Sequence, residues 1–553
     1  MDVVRSGHPL TGPTLDRILR QHPRRGKGFW SKREILDAWR ASPERWRERL
    51  GGRDLAPLLR KKPVRSLSGV TVVTVFTEPH PCPGRCIFCP SDVRMPKSYL
   101  PEEPGCQRAA SHGFDPYLQT WHRLEALARN GHAVDKVELL VLGGTFSSYP
   151  EPYRRWFVAR CLEAMTDHGA GRAPPPAEAG PGGPEAPPPD AVRGRYNEWV
   201  ARRRDGCPPA TTAADLEGAL AANETARVRC VGLTVETRPD RVDEAEVLRL
   251  RRLGVTRVQL GYQSTRDRIL RLNRRGHDVE ASRAATTRLR RAGFKVQAHV
   301  MLNLAGATPA TDLADYRRVF SDPGLVPDEV KLYPTSLLET AELVELHRAG
   351  RWQPYPEEAL LDLVTECLAS TPPTCRLARV IRDIPSTSIL AGSRTTNLRE
   401  RAEARLAEQG RPARDIRSRE VRAKAPPLEA LALRVRARAT RASEELFFEF
   451  SGPREELAGF ARLSLPTAPG FVSEIEGHAL LRELHVYGEV AALGRPGPVQ
   501  HGGLGRRLVA ACAEEASRRG FRALSVISAV GTRPYYRSLG FRDGPLYQTL
   551  PLG

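Results

Sequence analysis

The sequence predicts an α/β protein: six βα units, then a smaller α/β domain, with a basic helical segment in front. Two observations predict it. Six short apolar runs recur between residues 70 and 336 with helical patterns between them, which is how parallel βαβ units read. After about residue 440 the texture changes to longer apolar runs around one helix opened by glycines, about the size of an ordinary second domain.

The elements follow in order. Residues 1–62 read as short basic helices; REILDAWR has helical apolar spacing. VTVVTVF (70–76), KVELLVLGG (136–144), CVGLTVET (230–237), RVQLGYQS (257–264), KVQAHVML (295–302) and EVKLYPTS (329–336) are the six strands. Stretches such as DEAEVLRLRRLG supply the helices. These units form a partial or complete barrel, or an open doubly wound sheet. In each case ligands are expected at the carboxyl ends of the strands. This first domain spans 63–391, interrupted by a Pro/Gly/Ala-rich insertion, 169–215, expected to be mostly disordered. Residues 392–441 read as a basic linker and 442–553 as the second domain.

Charge is unevenly spread. The 553 residues carry a net +20. Residues 1–65 hold 17 Lys/Arg against 7 Asp/Glu, and residues 392–441 hold 14 against 6. Such clusters suit a polyanion partner, nucleic acid above all. No run approaches the ~18 apolar residues of a membrane span. MDVVRSGHPL lacks the apolar core of a secretory signal. A cytoplasmic protein is expected, with no membrane partner. Ten cysteines in so long a chain are too sparse for a disulfide scaffold.

Three of those cysteines, Cys82, Cys86 and Cys89, fall in CPGRCIFCP directly after the first strand. Three thiolates can hold three irons of a four-iron cube and leave the fourth open. Zinc wants four protein ligands, and His80 or Cys106 stands near enough in sequence to supply one. Position favours the cluster: GG, ETRPD and GYQS end the next three strands and converge on the same mouth. The C-x-x-x-C-x-x-C spacing resembles the radical S-adenosylmethionine (SAM) superfamily. That resemblance implies a partial (β/α)6 radical-SAM barrel, a 4Fe-4S cluster and SAM. Gly143 and Gly144 match the glycines that let backbone approach SAM; the simpler alternative is a strand end. Glu236 and Gln263 could face the same ligand or merely cap the barrel.

The second domain carries QHGGLGRRL (500–508) at a helix start. Glycines there let N–H groups reach a pyrophosphate, whose charge the helix end favours. Gln500, Gly503 and Gly505 give the Q-x-x-G-x-G form of such a cradle. HVYGEV before it and RPYYRSLGF after it complete an order that resembles the GNAT acetyltransferases, and implies acetyl-CoA. Of Tyr535 and Tyr536, only one can face the acyl group; Tyr536 is favoured.

KPVRSLSGV, DPYLQTWHRLEAL, GHAVDKVELLVLGGTF, TVETRPD, DIPSTSILAGS, RELHVYGEV and VGTRPYYRSLGF together resemble the catalytic subunit of Elongator, from about residue 62 to the end. The resemblance implies a tRNA-modifying acyltransferase. It would use SAM radical chemistry and acetyl-CoA to place a carboxymethyl group on carbon 5 of the wobble uridine in the anticodon stem-loop. It implies Cys82, Cys86 and Cys89 as cluster ligands and Lys136 as an acetyl-CoA contact. Glu483, Leu484, His485 and Val486 become the strand pairing with the CoA arm, Leu504, Gly505 and Arg506 the pyrophosphate contacts, and Tyr536 a thioester contact. Lys295 could contact SAM or acetyl-CoA, and with Tyr536 is a catalytic candidate. An electron donor such as a flavodoxin or ferredoxin is implied, and a homodimer is among the states allowed.

Two departures stand out. Asn303 replaces an acid after the fifth strand. Ala413, Asp415 and Ser418 stand where many relatives carry zinc-binding cysteines, so no structural zinc is expected. The rival readings are a protein lysine acetyltransferase with a structural cluster, and a tRNA-binding scaffold without activity.

Overall fold

The structure is a computed structural model that describes residues 12–23, 28–42, 44, 56–60, 69–176, 187–203, 215–421, 426–488 and 503–553. Strands form on all six apolar runs: β1 (Thr71–Phe76), β2 (Lys136–Leu142), β3 (Arg229–Thr237), β4 (Arg257–Gln263), β5 (Lys295–Leu302) and β6 (Glu329–Pro334). They pair in parallel and in chain order. Asp115, Asp243, Asp278 and Thr308 start helices by accepting a backbone N–H, which satisfies donors the helix leaves free. A seventh strand, β7 (Arg376–Arg379), extends the sheet beside β6. The expected partial six-unit barrel is thus an open half-barrel, with β7 as a seventh strand beyond the six apolar runs. RLAR has no apolar run to announce a strand, and only Leu377 of the four is buried.

The strands bury one set of side chains beneath the helices, among them Val137, Leu139, Val141, Val258, Leu260, Val296 and Val330. The alternate set faces the lumen and is polar. Arg257 pairs there with Glu138 and Glu329, and Gln297 also donates to Glu329. Further up, Lys331 donates to Gln259 at 2.7 Å, and His299 lies 3.0 Å from the same amide oxygen. A polar column thus runs the length of the half-barrel, about 20 Å at strand rise.

The second sheet has the order β13-β14-β12-β11-β10-β9-β8. Its strands are β8 (Ala432–Ala439), β9 (Ser443–Ser451), β10 (Leu457–Pro466), β11 (Ala479–Val486), β12 (Ala523–Val526), β13 (Arg542–Asp543) and β14 (Gln548–Pro551). All pair antiparallel except β11 with β12. The helix Leu504–Arg518 buries Leu504, Leu508, Val509 and Cys512 on this sheet. Val472, Ile475, Leu480, Ile527, Val530 and Tyr547 of this half join the hydrophobic core of the first. The second sheet thus contributes to the first core while keeping a core of its own, with Phe450, Leu463, Leu481 and Leu508.

Two expectations about segments need correction. Residues 392–441 are not a bare linker: Leu398–Glu408 and Ile416–Arg419 are helical, and β8 is the edge strand of the second sheet. Its arginines are largely matched by acids. Arg401 and Arg405 pair with Glu357, Glu358 and Asp362, Arg411 with Glu366, Arg419 and Arg436 with Glu449, and Arg441 with Glu280. Most of that local excess is neutralised inside the fold, so the segment is a weaker polyanion footprint than its composition suggests. Asp415, at the place of the missing zinc cysteines, is buried, caps the Ile416–Arg419 helix and pairs with Arg399 at 2.9 Å.

Within 169–215, Pro189–Val192 and Tyr196–Arg203 are helical, and Val192, Tyr196 and Val200 pack on Val93. RYNEWV has apolar residues at helical spacing, hidden by the Pro/Gly around it. In residues 1–62 the helices Gly12–Gln21, Lys32–Ala41 and Ala56–Leu59 bury Leu15, Leu36, Trp39 and Leu59 together. Among the described residues no helix is long and apolar enough to cross a membrane.

Candidate radical and acyl sites

The carboxyl mouth of the half-barrel holds a cavity of about 470 Å³. Cys82, Cys86, Cys89, Gly144, Glu236 and Gln263 all line it. Gly143 does not: a Cβ there would lie 1.8 Å from Thr77 Oγ1, so its role is to let the turn close against β1. Gly144 has φ +92°, and a Cβ would meet nothing nearer than the Lys97 carbonyl at 3.5 Å. It is the glycine whose backbone is open to a ligand. Gln263 sits at φ +69°, a strained position for a non-glycine residue that fixes its side chain at the strand end. Tyr99 donates to Glu236 at 3.0 Å, and His299 Nδ1 is 3.6 Å from the other carboxylate oxygen. Burial keeps His299 well below the usual histidine range, so its imidazole is neutral. Burial also pulls Lys331 down to about 8.

The cysteine loop lies against two arginines. Arg275 Nη1 is 3.4 Å from Cys86 Sγ. Arg238 Nη1 is buried with no hydrogen-bond partner among the described residues. Gly84 and Gly261 make room for them, since a Cβ at either would strike a guanidinium, at 2.2 and 2.4 Å. The Cys86 thiol is held well below its ordinary value, first by hydrogen bonding with Cys89 and then by Arg275. Cys89 is pushed up by the same bond and by burial. Neither alternative fourth ligand joins the three: Cys106 is packed with Phe76, Met95 and Tyr99, and His80 lies against Tyr149, ring centres 4.3 Å apart and tilted by 36°. Among the described residues no three His, Cys, Asp or Glu side chains converge as one metal ion would need. Three thiols spread around a cavity, with buried cationic donors behind them, fit a four-iron cluster with SAM on its open iron.

Asn303 follows β5 with φ +60°, its N–H donating to Asp312 and its carbonyl accepting from Trp352. It serves the backbone there, and asparagine suits that conformation better than most residues.

The second site is at the opposite mouth. Lys136 begins β2 and Lys295 begins β5, both at the amino ends of the strands. Lys295 Nζ lies 3.5 Å from Glu483 Oε1, and Arg462 donates to Glu483 at 2.8 Å. Burial opposes ionisation of Glu483, but Lys295 and Arg462 outweigh it and hold the carboxyl down at about 2. β11 pairs with β12 only over Ala479, Leu480 and Leu481. From Glu483 to Val486 it pairs with β10 alone, so among the described residues its other edge, through Leu484 and His485, is open to an extended ligand arm. Gly503 precedes the 15-residue helix at φ +75° with open space around it; Leu504 is buried, Gly505 half-buried and Arg506 exposed. Gln500 lies outside the described residues. Tyr536 is buried against Phe541, and burial pushes its phenol up; Tyr535 is 41% exposed and approaches Gly505.

Reasoning from sequence missed Arg238, Arg275, His299 and Lys331. Lys331 and His299 were findable as polar residues at alternate positions of apolar strand runs. The arginines lie in loops and carry no such signal.

Residues 210–315 match the Radical SAM superfamily, and 327–408 match the Radical_SAM C-terminal domain. A "tRNA uridine(34) acetyltransferase" of Dehalococcoides mccartyi is 38% identical over 491 residues, covering 87% of this chain and 97% of its own. "Elongator complex protein 3" of Danio rerio is 35% identical over 544 residues, covering 94% and 90%. The solved archaeal Elp3 of Methanocaldococcus infernus, with an N-terminal deletion, superposes with a TM-score of 0.71 at 32% identity, covering 88% of this chain and 100% of that one.

Proposed function

The chain belongs to the family of Elongator complex protein 3 and the tRNA uridine(34) acetyltransferases, and on that premise we propose that it modifies the wobble uridine of tRNA. The product is a carboxymethyl group at carbon 5, built from the acetyl group of acetyl-CoA. The observation that supports this reading is the polar column that joins the two mouths of the half-barrel. It begins at Lys295 and Glu483 beside the free edge of β11 and ends at Lys331, His299 and Glu236 in the cysteine cavity.

The residues divide the work. Cys82, Cys86 and Cys89 would hold the cluster, and Gly144, Glu236 and Gln263 would face SAM. When bound, the pair supplies a carbon radical able to take a hydrogen atom from the acetyl methyl group. Glu483 to Val486 would pair with the pantetheine amides, and the N–H groups of Leu504, Gly505 and Arg506 would meet the pyrophosphate. Lys136 and Lys295 would hold the acyl end at the amino mouth, with Tyr536 beside the thioester. Burial and the Lys331 charge keep His299 neutral inside the lumen, where it can accept a hydrogen bond, and Lys331, near 8, can give a proton.

The test is mass spectrometry of tRNA nucleosides after anaerobic incubation with SAM, reductant and acetyl-CoA carrying ¹³C in its methyl carbon. The expected product is a labelled uridine in which CH₂COOH replaces one hydrogen. Unlabelled or unmodified uridine from protein that holds its full iron would overturn the reading.

A further inference from the structure

The helix Tyr196–Arg203 lies in the segment whose composition hid it, and it touches the cysteine loop directly. The Cys82 N–H donates to Asn197 Oδ1 at 2.9 Å, and Asn197 Nδ2 donates to the Cys82 carbonyl at 2.7 Å. One side-chain amide thus takes up both backbone polar groups of one cysteine. The other two cysteines are held differently. Cys89 N–H donates to the Cys86 carbonyl, and Ile87 between them is fixed to Asn273 and Leu343. Arg275 lies against the Cys86 sulfur. The Cys82 thiol has Thr145 Oγ1 at 3.8 Å, and Cys82 is only half-buried where Cys86 is fully enclosed.

Asn197 is itself held. Tyr196 is buried and donates to the Met95 carbonyl at 2.8 Å, with the Lys97 ammonium 4.9 Å from its ring centre. Arg193 pairs with Glu345 at 2.8 Å and donates to the Glu339 carbonyl at 2.9 Å. Trp199 Nε1 donates to the Ala191 carbonyl at 3.0 Å, tying the two short helices together. The strap is therefore docked at the carboxyl mouth on both sides of Asn197. Only an amide can accept and donate in this paired way: a carboxylate loses the donor and alanine loses both.

We propose that Asn197 is a positioning residue for the cluster, fixing the Cys82 backbone so that its thiol stays on the iron. The inference rests on the reading of Cys82, Cys86 and Cys89 as cluster ligands. Partners one shell out from a ligand set its orientation, and their loss typically costs about 10- to 100-fold in metal retention.

The experiment compares full-length protein with Asn197→Ala and Asn197→Asp after anaerobic reconstitution. It reads iron and sulfide per chain, the electron paramagnetic resonance signal of the reduced cluster, and the rate of visible bleaching in air. Asn197→Ala is expected to bleach about tenfold faster and to show an altered resonance signal, while its thermal midpoint stays close to the parent's. Asn197→Asp, which keeps the acceptor, should fall between. Equal bleaching rates and identical signals in all three proteins would overturn the proposal. If the alanine variant loses the strap itself, seen as new tryptic cleavage at Arg195, the aspartate variant decides: parental lifetime overturns, an intermediate lifetime supports. The two readings fail separately. A parent protein that binds no iron sinks the cluster assignment, whereas a normal parent with indifferent variants sinks only the role of Asn197.

Discussion

The two mouths of the half-barrel are built on opposite terms. At the amino mouth nearly every charge is matched. Asp328 accepts from Arg482 at 2.5 Å and lies near Arg290 and Arg462, while Glu445 reaches Arg290 and Arg482. Arg482 is 0% and Asp328 1% exposed. At the carboxyl mouth the polar groups stand around open volume, and Arg238 Nη1 has no partner among the described residues. Arg290 Nη1 and Arg482 Nε also lack a hydrogen-bond partner among the described residues, so what separates the mouths is open volume: a packed ion-pair network fixes geometry, whereas polar groups around a cavity can meet a ligand. The amino mouth thus sets how the second sheet sits on the half-barrel, and the carboxyl mouth keeps open volume among its polar groups.

The largest effect should come from breaking the open mouth. Cys86→Ser removes the thiol nearest Arg275 and should abolish bound iron and tRNA modification, while acetyl-CoA binding measured by calorimetry stays within about twofold. Retained acetylation of a lysine substrate with lost tRNA modification would instead favour the rival protein acetyltransferase. Breaking the matched mouth is the converse. Asp328→Ala strands three buried arginines and should cost about 3–5 kcal/mol in urea unfolding, the usual result of removing one partner of a buried pair. Iron binding by the folded fraction should survive it.

How much of this contrast the sequence carries depends on the residues. Strand runs such as KVELLVL and KVQAHVML are strong signals because one face of a parallel strand is packed under helices. The cysteines and Gly144 announce themselves by spacing and place. β7 does not, because three of its four residues are not buried. The strap at 196–203 is masked by the composition around it, although Tyr196, Trp199 and Val200 give it a face. Asp328 reads as an ordinary loop acid, and only the fold brings Arg290, Arg462 and Arg482 to it from three distant elements. The charge count of 392–441 overstated that segment for the same reason: several of its arginines meet their acids only in three dimensions.

A smaller effect separates the two mouths by pH. Glu483 titrates at about 2 in the folded chain, below the ~4.3 of an unfolded glutamate. The depressed value means its stabilisation, about 3 kcal/mol, is complete above that unfolded value and is lost as pH falls toward 2. Urea midpoints measured from pH 6 down to pH 3 should therefore fall less steeply in Glu483→Gln than in the parent. Parallel slopes would show that the Lys295–Glu483–Arg462 group does not carry this coupling.

The smallest effect tests the helix start at Gly503. Gly503 has φ +75°, and a methyl added there would have nothing within 4 Å of it among the described residues. Gly503→Ala therefore meets no clash with them, and its left-handed backbone costs only roughly 1 kcal/mol. That strain falls on the residue before the N–H groups of Leu504, Gly505 and Arg506. If those donors meet the pyrophosphate, alanine should weaken acetyl-CoA binding by about fivefold, in line with ~1 kcal/mol, and leave iron content unchanged. Desulfo-CoA should lose affinity by the same factor, because the cradle reads phosphate and not thioester. A variant that weakens acetyl-CoA but not desulfo-CoA would move the anion site away from this helix and leave its glycines to the turn alone.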